Sequence, residues 1–152
     1  MKNMFKRFCV VVIAGLLLVP AISWAAESED IIKYRQAIMK AIGGHMGASS
    51  LIVRGKVPHK DQLKQHVNAM RTLSQDIPAL FPEDSDFGET RAKPEVWEKR
   101  EGFKKASDVS RQSIDDLVKA IETGKSGELA AKFKKVGDGC KGCHKDFRQK
   151  DE

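Results

Sequence analysis

Four stretches of this chain place apolar residues three and four positions apart, and that rhythm limits the fold more than any other feature. A period near 3.6 builds an amphipathic helix, and a helix with one apolar stripe must bury it against a neighbour. The first stretch runs from about Glu29 to Val53, with Ile31, Ile38, Ile42, Met46 and Ile52 near one stripe and Met39 beside it; Gly55 and Pro58 follow. The second begins after Pro58 and carries Leu63, Val67, Met70, Leu73 and Ile77 up to Pro78. The third opens at Pro94 and shows Val96, Phe103, Ile114, Leu117 and Ile121, with Trp97 alongside and Gly124 at its end. The fourth, from about Gly127 to Lys150, repeats Leu129, Phe133, Val136, Cys140, Cys143 and Phe147 at the spacing of a bundle seam. No strand-like alternation competes with these patterns. The segment from Pro78 to Lys93, with Pro82, Gly88 and several acids, reads as the long irregular connection. Short connections elsewhere make neighbouring helices antiparallel, so the expected fold is all-α: an antiparallel up-down four-helix bundle.

The first residues stand apart from that pattern. Lys2, Lys6 and Arg7 precede an uncharged apolar run from Phe8 to Val19, then Pro20 and the small residues of Ser23-Trp24-Ala25. This is the layout of a secretory signal peptide cleaved after Ala25. The run is short for a membrane span and no stop-transfer pattern follows it. The predicted organisation is therefore residues 1–25 as signal peptide and 26–152 as one domain. Of the net charge of +6, Lys2, Lys6 and Arg7 account for three, so the domain itself is only mildly basic. That balance, with both signs interspersed, argues against a nucleic-acid binder.

Cys9 falls in the segment to be removed, which leaves Cys140 and Cys143 in an oxidising compartment. A disulfide closing so small a loop would remove little chain entropy. These two cysteines belong instead to Cys140-Lys141-Gly142-Cys143-His144, the Cys-x-x-Cys-His sequence of covalent c-type haem attachment. On a helix, residues three and four apart share a face. Both sulfurs can then bond the two vinyl groups of one porphyrin edge while His144 meets the iron. A thioredoxin-like redox pair would need a preceding strand. A zinc site would need four ligands, and no second cysteine pair exists. A four-helix bundle also leaves a groove lined by inward-facing side chains, wide enough for a flat cofactor. The expected cofactor is one covalent haem c per chain.

The chain then resembles a known family, the class II c-type cytochromes or cytochrome c-prime family. The resemblance rests on Lys33-Tyr34-Arg35-Gln36 with Met39 and Gly43-Gly44, on Leu80-Phe81-Pro82, on Pro94-Glu95-Val96-Trp97, and on Cys-Lys-Gly-Cys-His-Lys-Asp-Phe-Arg ending at Arg148. It implies a left-handed bundle with the haem near one end, in the periplasm of a Gram-negative bacterium, as a monomer or as a homodimer through the first two helices. It also implies two forms of the far side of the iron. In one, a bulky apolar residue leaves the iron five-coordinate and able to bind nitric oxide or carbon monoxide. In the other, a methionine of the first helix completes a low-spin site. Counted from Arg35, that position is Met39, so the chain resembles the low-spin branch.

Each candidate also has an ordinary use. Met39 could be core filler like Met46 and Met70; as a soft neutral ligand opposite histidine it would raise the reduction potential. Arg35, on or beside the apolar stripe, either pairs with a haem propionate or extends its head to water. Arg148, one turn after His144, either contacts the haem edge or a propionate, or completes the helix end as a cation. His45, His59 and His66 read as surface or partial-core residues, and His45 lies six residues from Met39, off its face. Lys132, Lys134, Lys135, Lys141, Lys145 and Lys150 form either a solvated face or a docking patch for an acidic redox partner. The expected activity is single-electron transport rather than enzyme catalysis, with gas binding as the alternative.

Overall fold

The computed structural model describes residues 22–150, and most of the predicted signal peptide lies outside the described residues. The elements are α1 (Ile22–Val53), α2 (Leu63–Leu73), a one-turn α3 (Glu95–Glu98), α4 (Arg100–Glu122) and α5 (Leu129–Phe147). Short 3-10 turns lie at Lys60–Gln62, Ile77–Leu80 and Ser126–Glu128. No described helix is long and apolar enough to cross a membrane.

Glycines end two of the helices as the sequence suggests. At Gly55 (φ 65) the chain turns left-handed. Lys56 N–H then donates to Leu51 O and Gly55 N–H to Ile52 O. Gly124 (φ 68) closes α4 the same way, with Lys125 N–H donating to Ala120 O and Gly124 N–H to Ile121 O. Both are Schellman caps, which satisfy the orphan carbonyls of a helix end.

Two expectations of continuity are corrected. The second helix stops at Leu73, not at Pro78; Asp76 then accepts a bond from Ala79 N–H and starts the Ile77–Leu80 turn, with Pro78 in its first positions. The third helix is cut at Lys99, whose φ −116, ψ 48 lies outside the helical region. The Pro94 turn thus belongs to the wall of the long connection, and α4 begins after it.

The core has two parts. Ile52, Leu63, Val67, Met70, Ile114, Leu117, Val118 and Val136 fill one end of the bundle. Ile77, Phe81, Val96, Phe103 and Phe147 fill the other. The end of α1 and the start of α2 meet at the first cluster, where α4 ends and α5 begins. The start of α4 and the end of α5 meet at the second. The four long helices therefore run up, down, up and down, with α3 as an appendage of the loop.

The long connection is irregular but firmly tied. Trp97 Nε1–H donates to Pro82 O at 2.8 Å, and Arg100 donates to Phe81 O and Pro78 O. An isolated antiparallel bridge joins Ala92 to Arg148, with Lys93 N–H bonded to Phe147 O and Gln149 N–H to Arg91 O. These bonds hold the loop against the end of α5, which is the end that carries the Cys-x-x-Cys-His motif.

Candidate functional site

The motif occupies the last three turns of α5. Cys140 packs against the first core cluster and Cys143 against the second. The shared face of Cys140, Cys143 and His144 thus sits where the two clusters divide. Gly139 fixes how near α5 lies to α4 at this point. A Cβ there would stand 3.1 Å from Ser110 Cα and 3.3 Å from Ser110 Oγ, whereas one at Gly142 would meet nothing. Gly139→Ala is expected to destabilise the protein by about 1–2 kcal/mol, because overpacking outweighs the gain in helix propensity. Gly142→Ala, on the open side, should be stabilising by about 0.5–1 kcal/mol. Denaturant unfolding of the two variants gives the comparison. The apolar pattern does not mark Gly139; its only signal in the sequence is a glycine in mid-helix immediately before the motif.

A cavity of about 580 Å³ opens beside the motif. That lies within the range of about 300–1,000 Å³ typical of small-molecule and cofactor sites. Cys143, His144, Phe147 and Arg148 line it from α5, and Arg35, Gln36, Met39 and Lys40 line it from α1. Ile77, Phe81, Val96 and Phe103 close its apolar side, and Glu89, Thr90, Arg91 and Ala92 bring in the loop. Met39 and His144 therefore face one space from different helices. Cys140 is not part of the lining, although it lies one turn before His144 on the same face.

Arg35 is only 2% exposed. Its guanidinium donates to Ser85 Oγ, Ser85 O and Thr90 Oγ1, each at 2.8 Å. It also lies 4.7 Å from the centroid of Phe81 and 5.6 Å from that of Trp97. Burial lowers its pKa from the ordinary arginine value, and Asp86 opposes that shift. The head is thus clamped by the long loop rather than held in water. Arg148 is half-buried, caps α5 through its own N–H to His144 O, and joins the loop bridge.

Burial lowers the His144 pKa, and the charges of Arg148 and Arg91 lower it further. The neutral imidazole that a metal needs is therefore favoured. The thiols shift the other way. Burial raises Cys140, and burial with Cys140 and Asp146 nearby pushes Cys143 up to about 11. Dithiol oxidoreductases need a lowered thiol pKa, so this environment opposes that use.

The residues present fit a haem. Two thiols and an imidazole lie on one helix face, the walls are apolar and aromatic, and Arg35, Arg91 and Arg148 line the cavity as cations suited to a group with acidic side chains. His45 and His66 are elsewhere, hydrogen-bonded to each other between α1 and α2. His59 precedes the turn at Lys60–Gln62 and is exposed.

Comparison with known proteins agrees with this geometry. The family model described as Cytochrome C' matches residues 30–148. Cytochrome c' of Rhodospirillum rubrum is 30% identical over 144 residues, covering 94% of this chain and 98% of that protein. Cytochrome c-556 of Agrobacterium fabrum is 30% identical over 146 residues, covering 95% and 96%. Among solved structures, a nitric oxide complex of a variant of cytochrome c prime from Alcaligenes xylosoxidans superposes with a TM-score of 0.75 at 33% identity, covering 82% of this chain and 97% of that one. A carbon monoxide-bound variant of the same protein also has a TM-score of 0.75.

Proposed function

Because this chain belongs to the cytochrome c' family, whose members carry one covalent haem c, we propose that it is a periplasmic single-electron carrier with His144 and Met39 on the two faces of the iron. The observation that carries this reading is that Met39 of α1 and His144 of α5 line one cavity. When bound, the haem supplies an iron that gains or loses one electron. Cys140 and Cys143 would anchor it covalently, and His144 would bind the iron as a neutral imidazole. Met39 offers a thioether, which favours the reduced state. Arg35 gives three of its five N–H groups to Ser85 and Thr90, so two remain for a propionate. Arg148 offers a second cation at the cavity edge. No residue pair suited to general acid and base work is assigned, and the protein is read as a carrier rather than an enzyme. The predicted signal peptide supports export.

The second reading is reversible binding of nitric oxide or carbon monoxide at a five-coordinate iron, and the comparisons favour it over the first. The structurally similar cytochromes c prime include complexes with both gases. Met39 is the feature of this chain that points the other way. Carbon monoxide association to the ferrous protein separates the two. If the Met39 thioether must leave first, the observed rate levels off as carbon monoxide rises. A rate that stays proportional to concentration contradicts the carrier reading and supports the gas-binding one.

An acidic redox partner is part of the carrier proposal. Lys132 and Lys134 are paired with Asp116 and Asp138, so the steering charge lies chiefly with the exposed Lys135, Lys141, Lys145 and Lys150. If these residues guide encounter, the second-order rate with such a partner falls as ionic strength rises. A salt-independent rate would return them to a merely solvated face.

A further inference from the structure

His45 of α1 and His66 of α2 bring their Nδ1 atoms to 2.9 Å, with ring centroids 5.2 Å apart and the rings tilted by 51°. The two residues are 21 positions apart and lie on separate helices, so the packing of α1 on α2 makes this pair. Both residues are half-buried rather than sealed in the core. Gly44 and Gly47 flank His45 and face open space, where even an added Cβ would meet nothing within 4 Å. The haem cavity includes neither histidine.

In the metal-free protein one ring donates a proton and the other accepts it. The same spacing suits a metal ion. Two imidazole nitrogens about 2.0–2.1 Å from one ion and about 90° apart stand about 2.9 Å from each other, while a tetrahedral angle would set them about 3.4 Å apart. A right angle is the arrangement of square-planar and tetragonal sites, which Cu(II) and Ni(II) prefer, and imidazole suits both ions. We propose that His45 and His66 form a second metal site, a two-histidine chelate for a Cu(II)-class ion that staples α1 to α2, with water in the remaining positions. The ion takes the place of the shared proton, which moves to Nε2 of the donating ring so that both neutral imidazoles bind through Nδ1, and it bridges the connection around Gly55 and Pro58.

The test uses the full haem-loaded protein and Cu(II) alone. One ion should bind per chain, with a tetragonal electron spin resonance signal and echo modulation from two imidazoles. The haem absorption should stay unchanged and the melting temperature should rise, because the ion binds the folded chain. Losing a residue that merely orients a ligand costs about 10–100-fold in metal affinity. His45→Gln and His66→Gln should therefore each weaken binding by at least that much, and the double variant should abolish it. An unchanged haem spectrum and metal-free melting temperature in the variants would show that the fold is kept. If a variant fails to fold, the imidazole count in the wild-type signal decides alone. No saturable binding, coupling to one imidazole only, or binding retained in a folded double variant would overturn the proposal, leaving a hydrogen-bonded pair.

Discussion

Replacing Cys140 and Cys143 together with alanine is expected to abolish covalently loaded protein. In the wild type, acidified acetone should leave the colour with the polypeptide; in the double variant any haem should pass into the solvent. The loss should extend to folding. The cavity beside the motif is about 580 Å³ and is walled by the second core cluster. An engineered apolar void of about 150 Å³ is already large for a protein interior, and destabilisation grows with void volume. Without its occupant, the second cluster of Ile77, Phe81, Val96, Phe103 and Phe147 loses packing partners, and the loop held by Arg35 loses the surface it covers. The unloaded chain should therefore melt at much lower temperature, and amide exchange should quicken first at the cavity end. A variant as stable as wild type, or one that keeps its haem through acid acetone, would contradict the assignment of these cysteines.

Met39→Leu should change the iron far more than the fold. Leucine has nearly the volume of methionine, so the cost to stability should stay below about 1.5 kcal/mol. Only the sulfur is removed. On the carrier reading the variant iron becomes five-coordinate and high-spin, its reduction potential falls, and carbon monoxide binds faster because nothing must be displaced. If the variant stays low-spin, another residue is the distal ligand. His45 is poorly placed for that role, since it is turned to His66 on the next helix. If wild type and variant are both five-coordinate, Met39 is core filler beside Ile42 and Phe81, and the gas-binding reading takes first place.

The bundle was readable because its apolar residues recur at helical spacing, and the seam of α5 shows this most clearly. Leu129, Phe133, Val136, Cys140, Cys143 and Phe147 all turn inward or partly inward, as their spacing requires. The face of α1 was less legible. An apolar stripe through Ile31 and Ile38 looks natural, yet both are only half-buried. The buried positions include Ile32, Arg35, Ser49 and Ile52, so the true face is rotated and includes polar residues. A hydrophobic pattern cannot reveal a buried arginine whose acceptors, Ser85 and Thr90, lie some fifty residues along the chain.

The same limit hid other features. The break at Lys99 depends on how the Pro94 turn is tied to the loop through Trp97 and Pro82, which no local propensity records. The bridge between Ala92 and Arg148, and the contact of His45 with His66, also exist only once the helices are packed. The motif at Cys140, Cys143 and His144 was legible because its chemistry is local, with ligands spaced on one helix face. Met39 entered only through its register with Arg35 and family resemblance, because a distal wall is assembled from a different helix.

Resonance Raman spectra of the ferrous wild-type protein, read for the bands that mark coordination number and spin state, test the central claim most directly. A six-coordinate, low-spin iron near neutral pH is the predicted result, with His144 and Met39 on its two faces. A five-coordinate, high-spin iron held by His144 alone would contradict it.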